Sequence, residues 1–411
     1  MMLSIIASLA LGPGATSAGE RTSMEFGWNK ELDVFREEVR EFLSEFDTPS
    51  LRAELANRGE SAHAGPEQTR LREAVEARGW VRMCWPEELG GEGKSQWFQF
   101  VMTEEFAKAE LPFGSGFGSM VGPAIHRFGT EAQREKYLPG IWGNDITLCL
   151  GYSEPNAGTD LAALETLAVK DGDDWLINGQ KLWTSAADTA SHVWLAARTD
   201  PDAPKHRGIS TFIVPMDTPG ISVRPIMTMS GGRTNEVFFE DVRVPSDALV
   251  GEVNQGWYII ANALDHERVW IGAGGGLRHI FDRLMAHVRE KRPALLEDDA
   301  VRRRLVELEL DLDVMEGLVL TNASIVASGD TPTMEASMSK VWTSELRYHI
   351  SNVAMDLLGR EGALTEEANG FSPLDGELER TYRSSPIQRF GGGANEVQRD
   401  IIARRGLGLP R

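Results

Sequence analysis

The chain has 411 residues, enough for two or three domains or one large multilayer unit, and its 41% apolar and 25% charged content fits an ordinary globular protein. A net charge of −20 excludes nucleic-acid binding through a general basic surface, although a few local Arg and Lys side chains could still hold a phosphate. With only two cysteines, Cys84 and Cys149, no disulfide framework is implied and a reduced, cytoplasmic setting is expected.

Leu3 to Leu11 is a short apolar run followed by AlaThrSerAla at 15–18. No positive charge precedes it, and it is far too short to span a bilayer. The expectation is that Met24 opens the folded part and that 1–23 is a disordered or mis-started extension. No other segment approaches membrane-spanning length.

Leu32, Phe35, Val39, Phe42 and Phe46 recur at helical spacing and predict an amphipathic helix over 30–46. Further helical pattern covers 66–79 and 97–110, and a loop marked by Gly and Pro lies between them at 85–93. Residues 24–145 thus read as a helical domain. From 146 to 252 the texture changes to short apolar or alternating runs: ThrLeuCysLeu, TrpLeuIleAsnGly, HisValTrpLeuAlaAla, ThrPheIleVal and GluValPhePhe. Turn-forming residues separate these runs, which predicts a small β domain. From 253 to 411 helical periodicity returns, with Leu305, Leu308, Leu312, Met315 and Val319 forming a stripe suited to a bundle helix. The fold class is α+β multidomain: helices, then a small sheet, then a helical bundle.

Two motifs carry the chemistry. SerGluProAsnAlaGlyThrAsp at 153–160 offers hydroxyls at Ser153 and Thr159 and a close backbone approach at Gly158. TrpThrSer at 183–185 offers an aromatic wall and two more hydroxyls. Such groups can hold the edges and pyrophosphate of a flavin without crowding its ring. Either motif alone could equally be a polar turn at a strand end.

From about residue 28 to 411 the chain resembles the acyl-CoA dehydrogenase family, with its four-helix C-terminal bundle. The two motifs carry the resemblance, together with PheGluAspValArgValPro at 239–245, GlyGluValAsnGlnGlyTrp at 251–257 and the closing segment at 401–411. The resemblance implies FAD as cofactor, with Tyr152, Ser153, Gly158, Thr159, Trp183, Thr184 and Ser185 as its neighbours. It implies an acyl-CoA substrate, approached by Thr159, Asp265 and Arg268, and an electron-transferring flavoprotein as acceptor. No metal is expected, the net charge argues against nucleic acid, and the lack of a long apolar segment argues against a membrane.

The family reaction is α,β-desaturation: a carboxylate takes the α-proton while the β-hydride goes to flavin N5. Many members place that Glu in the C-terminal loop, where this chain has Gly392. Others, such as isovaleryl-CoA dehydrogenase, carry it on a helix in a LeuAspXaaGluArg pattern. Leu264, Asp265, His266, Glu267 and Arg268 match that pattern, so the resemblance makes Glu267 the base and Arg268 its support. The run GlyAlaGlyGlyGly at 272–276 is read as continuing this helix, with Ile271, Gly274 and Gly275 on the face of Glu267. Those glycines serve either close helix packing or space for a bulky acyl group, and Gly391 to Gly393 would leave room beside the flavin.

Family homotetramers complete each flavin site with ArgXaaXaaPheGly and GlnXaaXaaGlyGly segments from a neighbour. Here those regions read ArgGluLysArgProAlaLeuLeuGluAsp at 289–298 and AspLeuLeuGlyArg at 356–360. An Asp facing a pyrophosphate is repulsive. The expectation is therefore a second, different subunit in an α2β2 assembly, like bacterial enzymes that act on steroid side chains as CoA thioesters, with a homotetramer as the alternative. Two other functions stay open: a flavin monooxygenase or oxidase on the same scaffold, and a non-catalytic partner subunit.

Overall fold

The computed structural model describes residues 28–56, 65–112, 116–271, 274–365, 368 and 370–410, with the backbone alone at 265–271. The expectations for 1–23 and Met24 lie outside the described residues.

Six helices come first: α1 (Lys30–Phe46), α2 (Pro49–Ala56), α3 (Pro66–Ala77), α4 (Gln96–Lys108), α5 (Gly118–Phe128) and α6 (Glu131–Trp142). Asn29 starts α1 by accepting the Leu32 N–H at 3.1 Å, and the five apolar residues of its predicted stripe are all buried. Thr130 and Gln133 form a reciprocal capping box at the start of α6. The Gln133 side chain also donates to Asp247 O and Leu249 O, both at 2.7 Å, which ties α6 to the sheet.

The middle third is one sheet of eight strands: β1 (Leu148–Gly151), β2 (Leu167–Asp171), β3 (Asp174–Lys181), β4 (His192–Arg198), β5 (Ile209–Pro215), β6 (Ile221–Met227), β7 (Arg233–Val244) and β8 (Leu249–Val250). The order is β6-β7-β3-β2-β4-β5-β8, and β1 pairs in parallel with β4. The five strand-like runs of the sequence fall on β1, β3, β4, β5 and β7. Strands β2, β6 and β8 escape the reading. Strand β2 is mostly exposed and β6, at the sheet's edge, has no buried residue, so neither carries a strong apolar signal, while β8 is only two residues long.

Helices return with α7 (Gly256–Ile271), α8 (Gly275–Lys291), α9 (Asp299–Ala327), α10 (Met334–Leu358), α11 (Glu377–Ser384) and α12 (Asn395–Ile401). The stripe from Leu305 to Val319 is buried along one side of α9. Side chains of α1 and α4 share one apolar core with α8, α9 and α10, so the first and last thirds of the chain pack together. A second core joins α5 and α6 to β1, β4, β5 and α7. Each fully buried Leu, Ile or Phe in these cores contributes about 1.5–3 kcal/mol.

One expectation needs correction. The glycine run does not prolong α7: that helix ends at Ile271, and a separate helix begins at Gly275. A Cβ at Gly274 would stand 2.4 Å from Met315 Cε, and one at Gly275 would stand 2.6 Å from Glu104 O. At these two positions the glycines serve close packing of α8 against α4 and α9. Glu104 Oε1 accepts the Gly274 N–H at 2.9 Å and so holds the start of α8.

Candidate flavin site and its supports

The site is built where β1 and β3 leave the sheet. Beyond Gly151 the chain runs through 152–160; beyond Lys181 it runs through 182–186. Leu182 N–H donates to Ser153 O at 2.8 Å, so the two sequence motifs are bonded to each other. A buried ion pair reinforces the join. Lys181, fully buried, places Nζ 2.7 Å from Glu154 Oε1 and donates to Tyr152 O at 3.1 Å.

Glu154 also accepts the N–H groups of Glu165 at 2.6 Å and Thr166 at 2.9 Å. Burial works to raise its pKa, but Lys181 and these donors outweigh it and hold the carboxyl below the usual range. Burial lowers the Lys181 ammonium to about 8, so both partners are charged at pH 7. A buried pair that breaks leaves an uncompensated charge, so it specifies this geometry strongly. The sequence reading missed it. Its signal was present: Lys181 falls on the inward side of β3 with Trp175 and Ile177.

The predicted flavin neighbours meet here. Tyr152 is buried beneath the site, its hydroxyl accepting from Trp194 Nε1 at 2.9 Å. Ser153 is half-buried, and Gly158 and Thr159 are exposed. A Cβ at Gly158 would meet nothing within 4 Å, so a ligand can approach its backbone. Trp183 is 57% exposed, unusual for an indole. Ser185 is exposed, while Thr184 is fully buried with its Oγ1 lacking any hydrogen-bond partner. A buried hydroxyl without a partner is costly, and a bound polar ring edge would satisfy it. The open aromatic face, the unsatisfied hydroxyl and the bare backbone at Gly158 together fit a flavin.

Asp265, Glu267 and Arg268 lie on α7, but their side chains fall outside the described residues. The start of α7 is fixed by close approach to β5: a Cβ at Gly256 would stand 2.6 Å from Ser210 Cα. Ile259, Ile260 and Ala263 are buried, and Glu267 follows Ala263 by one helical turn. In the C-terminal loop, Gly392 has φ +65° and Gly393 φ +96°. A Glu at 392 would pay for a left-handed backbone that glycine adopts freely.

The two segments compared with the family's far-half motifs come together. Arg292, where α8 ends, donates to Leu357 O at 3.0 Å and pairs with Glu361 at 2.6 Å. Asp356 is taken by Arg304 at 2.7 Å. Elsewhere, Glu110, His279 and Glu377 bring one ligand-type atom each within 4.8 Å of one another. Arg283 is ion-paired with Glu377 and lies 4.0 Å from Glu110, so a cation already stands beside both carboxyl groups. Both cysteines are covered, and burial pushes their thiols up to about 12, which leaves neither a nucleophile at neutral pH.

Comparison with known proteins now decides the family. The chain matches the acyl-CoA dehydrogenase N-terminal domain over 29–145, the middle domain over 149–242 and the C-terminal domain over 254–407. It belongs to the acyl-CoA dehydrogenase family. It is 37% identical to acyl-CoA dehydrogenase FadE26 of Mycobacterium tuberculosis over 94% of this chain and 99% of that protein. Identity to FadE29 of the same organism is 36%, covering 91% and 96%. Among solved structures, the Tcur3481-Tcur3483 steroid ACAD matches with TM-score 0.86 and 37% identity over 94% of this chain and all (100%) of that one. The ChsE4-ChsE5 complex from Mycobacterium tuberculosis matches with TM-score 0.85 and 36% identity, covering 94% and 100%. This acyl-CoA dehydrogenase is thus an oxidoreductase from a family of flavoproteins. Among the described residues no helix is long and apolar enough to cross a membrane.

Proposed function

We propose that this acyl-CoA dehydrogenase binds FAD and desaturates the α,β bond of an acyl-CoA thioester, with Glu267 as the base. The observation that carries the reading is the junction of Ser153 with Leu182 beside the unsatisfied Thr184 hydroxyl. Trp183, Thr184, Ser185 and the backbone around Gly158 and Thr159 would hold the flavin. Bound FAD supplies the acceptor for the β-hydride. Glu267 takes the α-proton, and Arg268 supports it. Glycine at 392, in a left-handed turn, agrees with a base carried on α7 rather than in that loop.

The substrate proposed is a bulky, branched or steroid-side-chain CoA thioester. Two of the matching structures are of a steroid ACAD, and the sequence match to FadE26 covers 94% of this chain. Thr159, Asp265 and Arg268 are the residues proposed to face it. The partner proposed is a second acyl-CoA dehydrogenase-like subunit in an α2β2 assembly, with an electron-transferring flavoprotein as acceptor and a cytoplasmic location. Two observations support the split site. Arg292 and Asp356 are already engaged within the chain, and the matching ChsE4-ChsE5 structure is a complex.

The test is flavin content and assembly mass of the chain expressed alone and then beside a neighbouring dehydrogenase-like gene product. Flavin and a tetramer only on co-expression are expected. Full flavin in a stable homotetramer of this chain alone would contradict the split site.

A further inference from the structure

The turn at 183–186 is strained. Trp183 and Ala186 both have φ +62°, in the left-handed region, and neither is glycine. A side chain with a Cβ disfavours this conformation, so the surroundings must hold the turn in place.

One buried residue does most of this. Asn235, on β7, is fully buried. Its backbone oxygen accepts the Thr184 N–H at 2.9 Å, and its Nδ2 donates back to Thr184 O at 3.0 Å. The same Nδ2 donates to Asp188 Oδ1 at 3.1 Å. Its Oδ1 accepts from Arg233 Nε at 2.8 Å, and Arg233 Nη1 lies 3.4 Å from Asp188 Oδ2. The ring is closed: Arg233 and Asp188 fix the side-chain amide of Asn235, that amide holds Thr184 O, and the Asn235 backbone carbonyl holds the Thr184 N–H. At this length only a carboxamide supplies an acceptor for Arg233 and two donors on the other side.

We propose that Asn235, locked by Arg233 and Asp188, is a positioning residue of the flavin site, holding the left-handed Trp183–Ala186 turn so that the Trp183 ring and the Thr184 and Ser185 hydroxyls are preorganised for the cofactor. The inference rests on the reading that 183–185 face a flavin. Asn235 does not touch the cofactor; it acts through Thr184.

The test uses Asn235→Asp and Asn235→Leu in whichever assembly holds FAD. FAD dissociation constants, the visible flavin spectrum and thermal melts of the flavin-free protein are measured together. Asn235→Asp ionised cannot donate to Thr184 O and meets Asp188, so FAD affinity is expected to fall about tenfold or more with an altered flavin band. On acidification its carboxyl regains a donor, and affinity is expected to recover towards wild type. A purely structural role would lower the melt of the flavin-free protein and leave the affinity without that pH-dependent recovery. Asn235→Leu, of similar volume, loses the bonds at every pH and should show no recovery. If wild type holds FAD and Asn235→Asp binds it within about twofold at neutral pH with the same spectrum, the inference is overturned while the flavin reading stands. If wild type takes no FAD in any assembly, the flavin reading itself fails.

Discussion

Arg292 reaches Glu361 at 2.6 Å and Leu357 O at 3.0 Å, closing the two segments that in homotetrameric relatives would reach a neighbour's cofactor against each other. The guanidinium is spent inside the chain. Arg292→Ala is therefore expected to leave the flavin content of the assembled enzyme unchanged. Its cost in stability should be at most about 1 kcal/mol, since Glu361 is largely exposed and screened. A loss of flavin in this variant would show that Arg292 serves a cofactor after all.

Glu377 and Glu110 make stability depend on pH. Burial, then the Glu110 charge, raises the Glu377 carboxyl to about 7. Glu110, despite its own burial, is drawn down to about 2 chiefly by His279. For Glu377 the folded state binds the proton more tightly than the unfolded one. Its contribution is full below the ordinary carboxylate range and is lost as pH rises through about 7. His279, raised mainly by its bond to Glu110, loses its contribution on the same side. Glu110 works oppositely: its contribution is lost as pH falls towards about 2. Glu377→Gln mimics the protonated acid. Chemical denaturation at pH 5 and pH 8 should show wild type weakening and the variant weakening less, its remaining loss coming from His279, with the variant ahead at pH 8 by on the order of 2 kcal/mol. Parallel curves would refute this account of the junction.

The Glu154–Lys181 pair can be broken from one side or removed whole. Lys181→Met strands a buried carboxylate and should cost about 3–5 kcal/mol. Adding Glu154→Gln should recover part of that loss, because the stranded charge is gone. Flavin affinity should fall with Lys181→Met, since the pair joins both motifs. Additive losses in the double variant, measured by urea denaturation, would mean the two side chains do not act as a unit.

The order of helix, sheet and helix was legible because the apolar spacing switches from helical to short-run and back. Phe35, Val39 and Phe42 announce α1, and Val193 to Ala197 announce β4, through periodicity alone. The two motifs proposed to hold the flavin stood out because hydroxyls, glycine and an indole gather in two short stretches. The joining bonds were not. Lys181 and Glu154 are 27 residues apart, and Asn235 lies 51 from Thr184, so only sheet register brings them together. The glycine run at 272–276 was read as a helix interior because spacing carries no information about where Glu104 caps a new helix. Strand β6, Ile221–Met227, was missed because only one face of its edge position is covered.

Glu267 is proposed to take the α-proton as the flavin is reduced, and anaerobic mixing of the flavin-loaded assembly with a steroid-side-chain CoA thioester puts that role to the test. Wild type is expected to bleach its flavin within one turnover. Glu267→Gln is expected to keep its flavin and bleach about 10²–10⁴-fold more slowly. Equal bleaching in the two proteins would contradict the claim and return the search for the base to another carboxylate.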